Sequence, residues 1–167
     1  MKKSKAFLRS KESDLMNAVI QRVKCADVSV DGKTVGEIGK GYMILLGVVE
    51  GDTPECAELL ASKVAKLRVF EDDNGKMNLS VNDVGGEALV VSQFTLCADC
   101  NKGVRPSFTS SAHPEIANEL YLRFSQLLRD NGIAKVENGI FGADMQVSLI
   151  NDGPVTIIFD TDTWRKS

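Results

Sequence analysis

The sequence has only one histidine and no long apolar run, and both absences narrow the chemistry open to it. A Ser-His-Asp or Cys-His catalytic group needs a histidine, and His113 is the single candidate. It stands directly before Pro114, where a helix is expected to begin, so a capping or solvated role is the simpler interpretation. The longest apolar runs, such as Met43 to Val49, are far shorter than the roughly 20 residues that span a bilayer.

Prolines are few and charged residues make up 26% of the chain, which is not typical of disordered proteins. No apolar segment follows the N-terminal lysines, so no secretory signal is expected and a cytoplasmic location is predicted. The 167 residues, 43% of them apolar, suit one domain with its own core. We expect a single domain over residues 16–167 and a flexible extension over residues 1–15. That extension is either an upstream addition or a basic arm that contacts RNA.

The sequence also lacks a complete set of metal ligands and a phosphate-binding loop. Cys97 and Cys100 have the C-x-x-C spacing of zinc and redox sites, but no second such pair exists and a structural zinc site needs four ligands. A redox pair would open a helix, whereas this one is expected to end a strand, so buried or incidental thiols are the simpler interpretation. Gly39-Lys40-Gly41 and Gly85-Gly86 lack the spacing of a phosphate loop. No metal or cofactor is therefore expected.

Net positive charge is absent from most of the chain. Residues 1–15 hold five basic and two acidic residues, so they contribute +3 to the net charge of −3 and the remainder carries −6. Phosphate contacts supply most non-specific affinity for nucleic acids, so this acidic body is a poor match for a long duplex. DNA binding is not expected, and any RNA contact should be confined to a strand end.

Periodicity predicts an α+β fold, with a mostly antiparallel sheet or partly closed β-barrel and two main helices. Strand patterns begin near Ala18, and Asp31-Gly32 is a hairpin turn signal. Helices are predicted to begin after Thr53, with its hydroxyl as a cap, and at Pro114. The other predictions that bear on a site are a buried strand over 88–96, a polar loop over 98–112, a turn at 151–154 and a strand over 155–159.

Two polar segments are not explained by packing alone. Ser92, Gln93 and Thr95 interrupt an apolar strand, where polar side chains are costly unless they are paired. A satisfied core network and a functional site both fit that segment. The segment from Asn151 to Thr156 could be an ordinary hairpin, or it could fix backbone carbonyls in an array, particularly if its Gly-Pro bond is cis. Carbonyls only accept hydrogen bonds, so such an array suits a protonated amino group.

Six short segments, in order, carry a resemblance to the D-aminoacyl-tRNA deacylase family from Met16 to about Asp160. They are Ala18-Val-Ile-Gln-Arg-Val23, Gly75-Lys-Met-Asn-Leu79, Ser92-Gln-Phe-Thr-Leu96, Arg105-Pro-Ser-Phe108, Phe141-Gly-Ala-Asp-Met145 and Asn151-Asp-Gly-Pro-Val-Thr156. The resemblance implies a homodimeric hydrolase that cleaves the ester between a D-amino acid, or mis-charged glycine, and the 3′-terminal adenosine of tRNA. L-aminoacyl esters would be left largely intact.

The resemblance also assigns roles to residues of both polar segments. Backbone N–H groups near Phe94 and Thr95 would polarise the ester carbonyl, and Gln93 would place the ribose or the reacting water. Gly153 and Pro154, joined by a cis bond, would enter the partner subunit's site and reject an L-side chain by steric collision. Arg22 would hold that dipeptide in position. The implied catalytic residues are Ser92, Gln93, Phe94 and Thr95, and the implied residues for substrate binding and chiral selection are Arg22, Met145, Asn151, Gly153, Pro154 and Thr156.

Three questions stay open at this point: the nucleophile, the role of two cations and the class of function. Thr95 could attack the ester, but no general base stands beside it in the sequence, so we expect attack by water aided by the ribose 2′-hydroxyl. Lys102 and Arg105 could contact phosphates near the tRNA end or be ordinary surface charges. A non-catalytic module for RNA ends, or a general esterase using Ser92 or Thr95, would contain the same segments. Deacylation of D-tyrosyl-tRNA against L-tyrosyl-tRNA discriminates between these functions.

Overall fold

Residues 16–159 are described by the computed structural model of the chain. The predicted extension over residues 1–15 lies outside the described residues, as do residues 160–167. In chain order the elements are β1 (Asn17–Val30), β2 (Lys33–Ile38), β3 (Gly41–Gly47), α1 (Pro54–Lys66), β4 (Phe70–Glu71), β5 (Met77–Leu79), β6 (Glu87–Ser92), a 3-10 helix (Phe94–Cys97), α2 (Pro114–Asp130), β7 (Val136–Asn138) and β8 (Met145–Phe159). None of the helices in this described part is long and apolar enough to cross a membrane.

Six strands form a mixed sheet with three antiparallel and two parallel pairs, where a mostly antiparallel sheet was predicted. The order is β2-β1-β3-β6-β7, and β8 pairs along the other edge of β1. The pairs β3–β6 and β6–β7 are parallel. Parallel neighbours need a long crossover connection, and α1 and α2 supply one for each pair. The two crossovers place the carboxyl ends of β3 and β6 at the same edge of the sheet.

The sheet curls until β2 approaches β7, which confirms the predicted two-helix, partly closed barrel in outline. Gly36 on β2 stands at this approach, because a Cβ there would lie 2.8 Å from the backbone oxygen of Asn138 on β7. Only glycine permits two backbones to come so close. One apolar core lies between the sheet and the helices and includes Phe124, and a second fills the barrel and includes Leu89.

Strand β6 is shorter than predicted, and this changes the geometry of the first polar segment. The pattern predicts a strand over 88–96, but β6 ends at Ser92 and a 3-10 helix begins at Phe94. Its neighbour β3 ends at Gly47, and the last bond between the two segments runs from Gln93 N to Leu46 O at 2.8 Å. Without a partner strand the chain turns. The polar residues therefore lie on a turn at the sheet edge and not within a strand.

Of the two interpretations left open for residues 151–154, the ordinary hairpin does not fit the structure. These residues lie inside β8, a single strand of 15 residues. The pairing of β8 with β1 passes from Val23↔Asn151 to Gln21↔Thr156, so it skips residues 152–155. The segment is an irregularity in one strand, and its Gly-Pro signal marks that irregularity.

The helix starts were predicted at the right residues, but their caps were not. Helices α1 and α2 begin at Pro54 and Pro114. Thr53 and His113 hold the N-cap positions, yet neither side chain makes a capping hydrogen bond. The Thr53 hydroxyl instead lies 3.3 Å from the sulfur of Cys56. Strand β7 was not predicted, because three residues carry too little periodicity.

Candidate active site

A cavity of about 740 Å³ opens at the carboxyl ends of β3 and β6. This volume is typical of small-molecule sites, and this edge of a parallel sheet is where such sites are usually found. Its walls come from several segments of the chain. They are Val48, Val91 to Phe94, Phe108, Ser111 to Pro114, Ala117, Phe141 to Met145, and Val147.

Four of the predicted site residues meet in this cavity: Ser92, Gln93, Phe94 and Met145. Ser92 and Gln93 are half-buried, and the Phe94 side chain is 58% exposed. Thr95 follows directly and is held by Gln93, whose Nε2 donates a hydrogen bond to Thr95 Oγ1. The predicted catalytic segment is therefore one connected group at the cavity wall.

The backbone at Phe94 and Thr95 presents two N–H donors. These residues open the 3-10 helix, and the first N–H groups of a helix have no partner within it. The neighbouring amides are used, since Gln93 N bonds to Leu46 O and Leu96 N bonds to Gln93 O. Within residues 16–159 no acceptor bonds to the N–H of Phe94 or Thr95. Two adjacent fixed donors of this kind can stabilise the negative oxygen that forms when an ester carbonyl is attacked.

Buried contacts hold the walls of the cavity in place. The Phe94 and Phe108 rings pack edge to face with centroids 5.0 Å apart. The hydroxyl of buried Tyr121 lies 3.0 Å from Val90 O and 3.3 Å from Gly139 O. Burial raises the pKa of Tyr121, so the hydroxyl stays protonated and donates to these carbonyls. Tyr121 thereby links β6 to the segment that leads into the opposite wall.

The second predicted segment has an unusual backbone. The Gly153–Pro154 peptide bond is cis, as the resemblance implies, and Gly153 has a φ of +131°. Both residues are exposed and lie in the stretch that the β1–β8 pairing skips. Asn151 braces it from both sides, because its Nδ2 donates to Thr156 Oγ1 at 3.2 Å and its Oδ1 accepts from Val155 N at 3.1 Å.

Arg22 anchors this segment from beneath. Its side chain is buried, its Nε donates to Asp152 O at 3.0 Å, and its Nη1 donates to Val69 O at 2.6 Å. A Cβ on Gly153 would lie 3.0 Å from Arg22 Nη2 and 2.9 Å from a methyl carbon of Val155. The guanidinium therefore packs directly against the glycine.

One protomer does not bring the two segments together. Neither Gly153 nor Pro154 lines the cavity, and the same holds for Arg22. Strands β1 and β3 stand between β8 and β6, which is about 14 Å along the sheet at the usual strand spacing. The two segments also differ in height along β1. Ala18 pairs with Leu46 at the cavity end of the sheet, whereas the residues flanking the dipeptide pair with Gln21 and Val23, further along β1. The dipeptide and the cavity of the same chain are therefore separate in the sheet.

Some residues at the cavity received no role from sequence reasoning. Phe108 and Phe141 line it and belong to segments that carry the family resemblance, which was the available signal. His113 lines it too, although its position before a helix favoured a capping or solvated role. No sequence pattern relates Phe108, His113 and Phe141, because only the packing of β6, α2 and β7 brings these residues to one cavity.

The two cysteines of the C-x-x-C pair differ in exposure. Cys97 is buried and Cys100 is exposed, and none of the four cysteines forms a disulfide within the described residues. Burial raises the pKa of the Cys97 thiol, which disfavours a reactive thiolate. The described residues contain no group of three or more His, Cys, Asp or Glu side chains placed to hold a metal ion.

The matching family model and the sequence relatives agree on one family. The family model described as D-Tyr-tRNA(Tyr) deacylase matches residues 19–160. A D-aminoacyl-tRNA deacylase of Geobacter sulfurreducens is 59% identical over 152 residues, covering 91% of this chain and 99% of that protein. The c-Myc DNA Unwinding Element Binding Protein, a solved structure, matches with a TM-score of 0.82 and 42% identity over 87% of this chain and 98% of that one. A probable eukaryotic D-amino acid tRNA deacylase matches with a TM-score of 0.75 over 87% of this chain and 98% of that one, and its 18% identity shows the shared fold alone.

Proposed function

Because the chain belongs to the D-aminoacyl-tRNA deacylase family, whose members are hydrolases of the aminoacyl-tRNA ester bond, we propose that it removes D-amino acids and mis-charged glycine from tRNA. The terminal adenosine and its amino acid would occupy the cavity beside Ser92 to Thr95. A second copy of the chain would insert Gly153 and Pro154 into that cavity. The enzyme is then a homodimer in which each site uses residues of both subunits.

The separation of the two segments carries this proposal. Gly153 and Pro154 are exposed, anchored by Arg22, and too far along the sheet to reach their own cavity. Strand β8, on which they lie, pairs only with β1 among the described residues. A free strand edge of 15 residues is a surface that proteins normally cover. Ile150 and Ile158 on this strand are 54% and 66% exposed, which supports burial against a second copy.

The proposed reaction needs few protein groups. A water molecule attacks the ester carbonyl carbon, and the N–H groups of Phe94 and Thr95 stabilise the oxygen that becomes negative. The ester C–O bond then breaks, and the ribose oxygen leaves with the proton given up by the water. The 2′-hydroxyl of the same ribose assists the proton transfer, and the protein supplies orientation.

Chiral selection would come from backbone carbonyls of the inserted dipeptide. Carbonyl oxygens can bind the protonated α-amino group of the substrate. With that amino group fixed, a D-side chain or hydrogen points away from the dipeptide and an L-side chain points into it. The selection is then steric exclusion by a rigid backbone and does not require a pocket for any particular side chain.

Similarity to a protein named for DNA binding does not favour DNA as a partner here. Outside residues 1–15 this chain carries a net charge of −6, which opposes binding to a long duplex. A cavity of about 740 Å³ suits the terminal nucleotide of a nucleic-acid strand. We therefore propose the aminoacylated 3′ end of tRNA as the ligand.

Hydrolysis of matched aminoacyl-tRNAs tests this function. Purified protein is expected to deacylate D-tyrosyl-tRNA and glycyl-tRNA and to hydrolyse L-tyrosyl-tRNA at least roughly 100-fold more slowly, a difference of about 2.7 kcal/mol. Equal rates for both enantiomers, together with cleavage of a simple activated ester, would indicate a general esterase. Binding to tRNA without hydrolysis of any of the three would indicate a non-catalytic module for RNA ends.

Thr95→Ala is expected to keep kcat on D-tyrosyl-tRNA within about tenfold of the unmodified protein. The Thr95 hydroxyl is paired with the amide of Gln93, and an amide cannot act as a general base. The change removes a hydroxyl but leaves the backbone N–H in place. Single-turnover deacylation measures the effect, with Thr95→Ser as the matched control. A complete loss in Thr95→Ala that Thr95→Ser restores would assign the nucleophile to this residue.

A further inference from the structure

An exposed hairpin stands beside the cavity. Asp99 and Ser107 form its base through two backbone hydrogen bonds, Asp99 N to Ser107 O at 2.7 Å and Ser107 N to Asp99 O at 2.8 Å. Every residue from 98 to 107 is exposed, and Val104 at the tip is fully so. The hairpin therefore projects from the surface and packs against nothing along most of its length.

The base of this hairpin is tied to the cavity wall. Phe108, the next residue along the chain, lines the cavity and packs against Phe94. The Ser110 hydroxyl donates to Cys97 O at 2.9 Å, and Ala112 N donates to Val48 O at 3.0 Å. Arg105 is three residues from Phe108, so at most about 10 Å of chain separates it from the wall.

The hairpin is positive although the body of the chain is negative. Between its two base residues it carries Lys102 and Arg105 and no acidic residue. In the described part of the chain neither cation forms an ion pair with a carboxylate. The acidic side chain at the base, Asp99, directs one carboxylate oxygen to Asn101 N at 2.9 Å. Two unpaired cations on a projecting hairpin can therefore bind anions.

We propose that Lys102 and Arg105 bind phosphates of the RNA strand whose terminal adenosine occupies the cavity. This inference rests on the proposed function and adds the part of the protein that holds the RNA backbone. An RNA strand that ends in the cavity must leave it past the rim, where the hairpin projects. Arg presents several N–H donors to a phosphate, and Lys adds a point charge. These two contacts would add affinity for the end of an RNA strand although the rest of the protein is negatively charged.

Binding of a short RNA tests the site without any hydrolysis. The RNA is a fluorescent hairpin with a single-stranded 3′-CCA end. Its Kd is measured between about 50 and about 300 mM KCl, a range over which the Debye length falls about 2.4-fold. Lys102→Gln/Arg105→Gln is expected to raise Kd about tenfold at the lowest salt. The slope of log Kd against log salt should fall by about 1.4, the value for two single-strand phosphate contacts.

The matched control removes the same charge away from both the cavity and the dipeptide. Arg123 on α2 and Lys135 before β7 are exposed and do not line the cavity, and β7 lies four strands from β8 in the sheet. Arg123→Gln/Lys135→Gln is expected to leave both Kd and the salt slope near those of the unmodified protein. Equal effects of the two double variants would mean that only overall charge matters, and the proposed site would be wrong.

Hydrolysis of two esters separates phosphate binding from an effect on the cavity. D-tyrosyl-adenosine carries the same reacting bond as D-tyrosyl-tRNA but no phosphate. Lys102→Gln/Arg105→Gln is expected to lower kcat/KM about tenfold for the tRNA ester and to leave the adenosine ester unchanged. Equal losses for both esters would contradict the proposal. If the unmodified protein hydrolyses neither ester, the proposed function fails, and the RNA-binding comparison still decides whether this site exists.

Discussion

Phe94→Pro is expected to lower kcat on D-tyrosyl-tRNA about 100-fold to 1000-fold below that of Phe94→Ala, because it removes one donor of the oxyanion site. Residue 94 is the first residue of the 3-10 helix, a position where proline is tolerated because its N–H is not needed by the helix. Gln93 has a φ of −141° and a ψ of 84°, which lies outside the α region that proline disfavours for the residue before it. Single-turnover deacylation rates provide the measurement.

Alanine at the same position is the matched control because both variants lose the aromatic ring that packs on Phe108. Only the proline variant also loses the N–H. Thermal unfolding and binding of a non-hydrolysable amide analogue of D-tyrosyl-adenosine establish that both variants fold and bind. Equal kcat in the two variants, with binding intact, would show that the N–H of residue 94 does not stabilise the transition state.

Gly153→Ala is expected to lower kcat/KM for D-tyrosyl-tRNA at least about 100-fold through displacement of the inserted dipeptide. At a φ of +131° an L-residue is strained, and its Cβ would lie 3.0 Å from Arg22 Nη2. Arg22 cannot easily move away, because it is buried and bonded to two backbone carbonyls. The dipeptide must shift instead. The ratio of D to L hydrolysis should fall in the same variant.

Gly85→Ala controls for backbone strain. Gly85 also has a positive φ, of +63°, but no atom lies within 4 Å of a Cβ built there. It stands just before β6, at the opposite end from the cavity. This change should destabilise the fold by about 1 kcal/mol, as strain at one position does, and leave the kinetics unchanged. If Gly153→Ala behaves like Gly85→Ala in the deacylation assay, the packing of Gly153 against Arg22 has no catalytic role.

Much of the fold could be predicted from the sequence because its signals are local. The alternation from Ala18 onwards predicts β1, the Asp31-Gly32 turn predicts the β1–β2 hairpin, and prolines mark both helix starts. Strand direction in the sheet is not local. Whether β6 lies parallel to β3 depends on how α1 crosses over, and periodicity within β6 is the same for either direction.

The two segments of the candidate site could be predicted from the sequence, but the spatial arrangement of their residues could not. Ser92 to Thr95 could be singled out because polar residues interrupt an apolar strand pattern, yet the end of β6 at Ser92 depends on where β3 stops. The contacts of Arg22 with Val69 and Asp152 join residues that are 47 and 130 positions apart, which no single-sequence pattern reveals. His113 was interpreted as a capping or solvated residue, and its place in the cavity wall follows from the packing of α2 against the sheet.

The most direct test of a site shared between subunits is the activity of a mixed dimer. One subunit carries Gly153→Ala with an intact cavity, and the other carries Phe94→Pro with an intact dipeptide. Two different affinity tags allow the mixed species to be purified. In a symmetric dimer each cavity receives the dipeptide of the other subunit, so exactly one of the two sites is whole.

Deacylation of D-tyrosyl-tRNA by this mixed dimer should reach about half the rate of the unmodified dimer, because one of two equivalent sites is complete. Each variant alone should retain about 1% or less of that rate. A mixed dimer no more active than its two parents would contradict the claim that one subunit's Gly153 and Pro154 complete the cavity of the other.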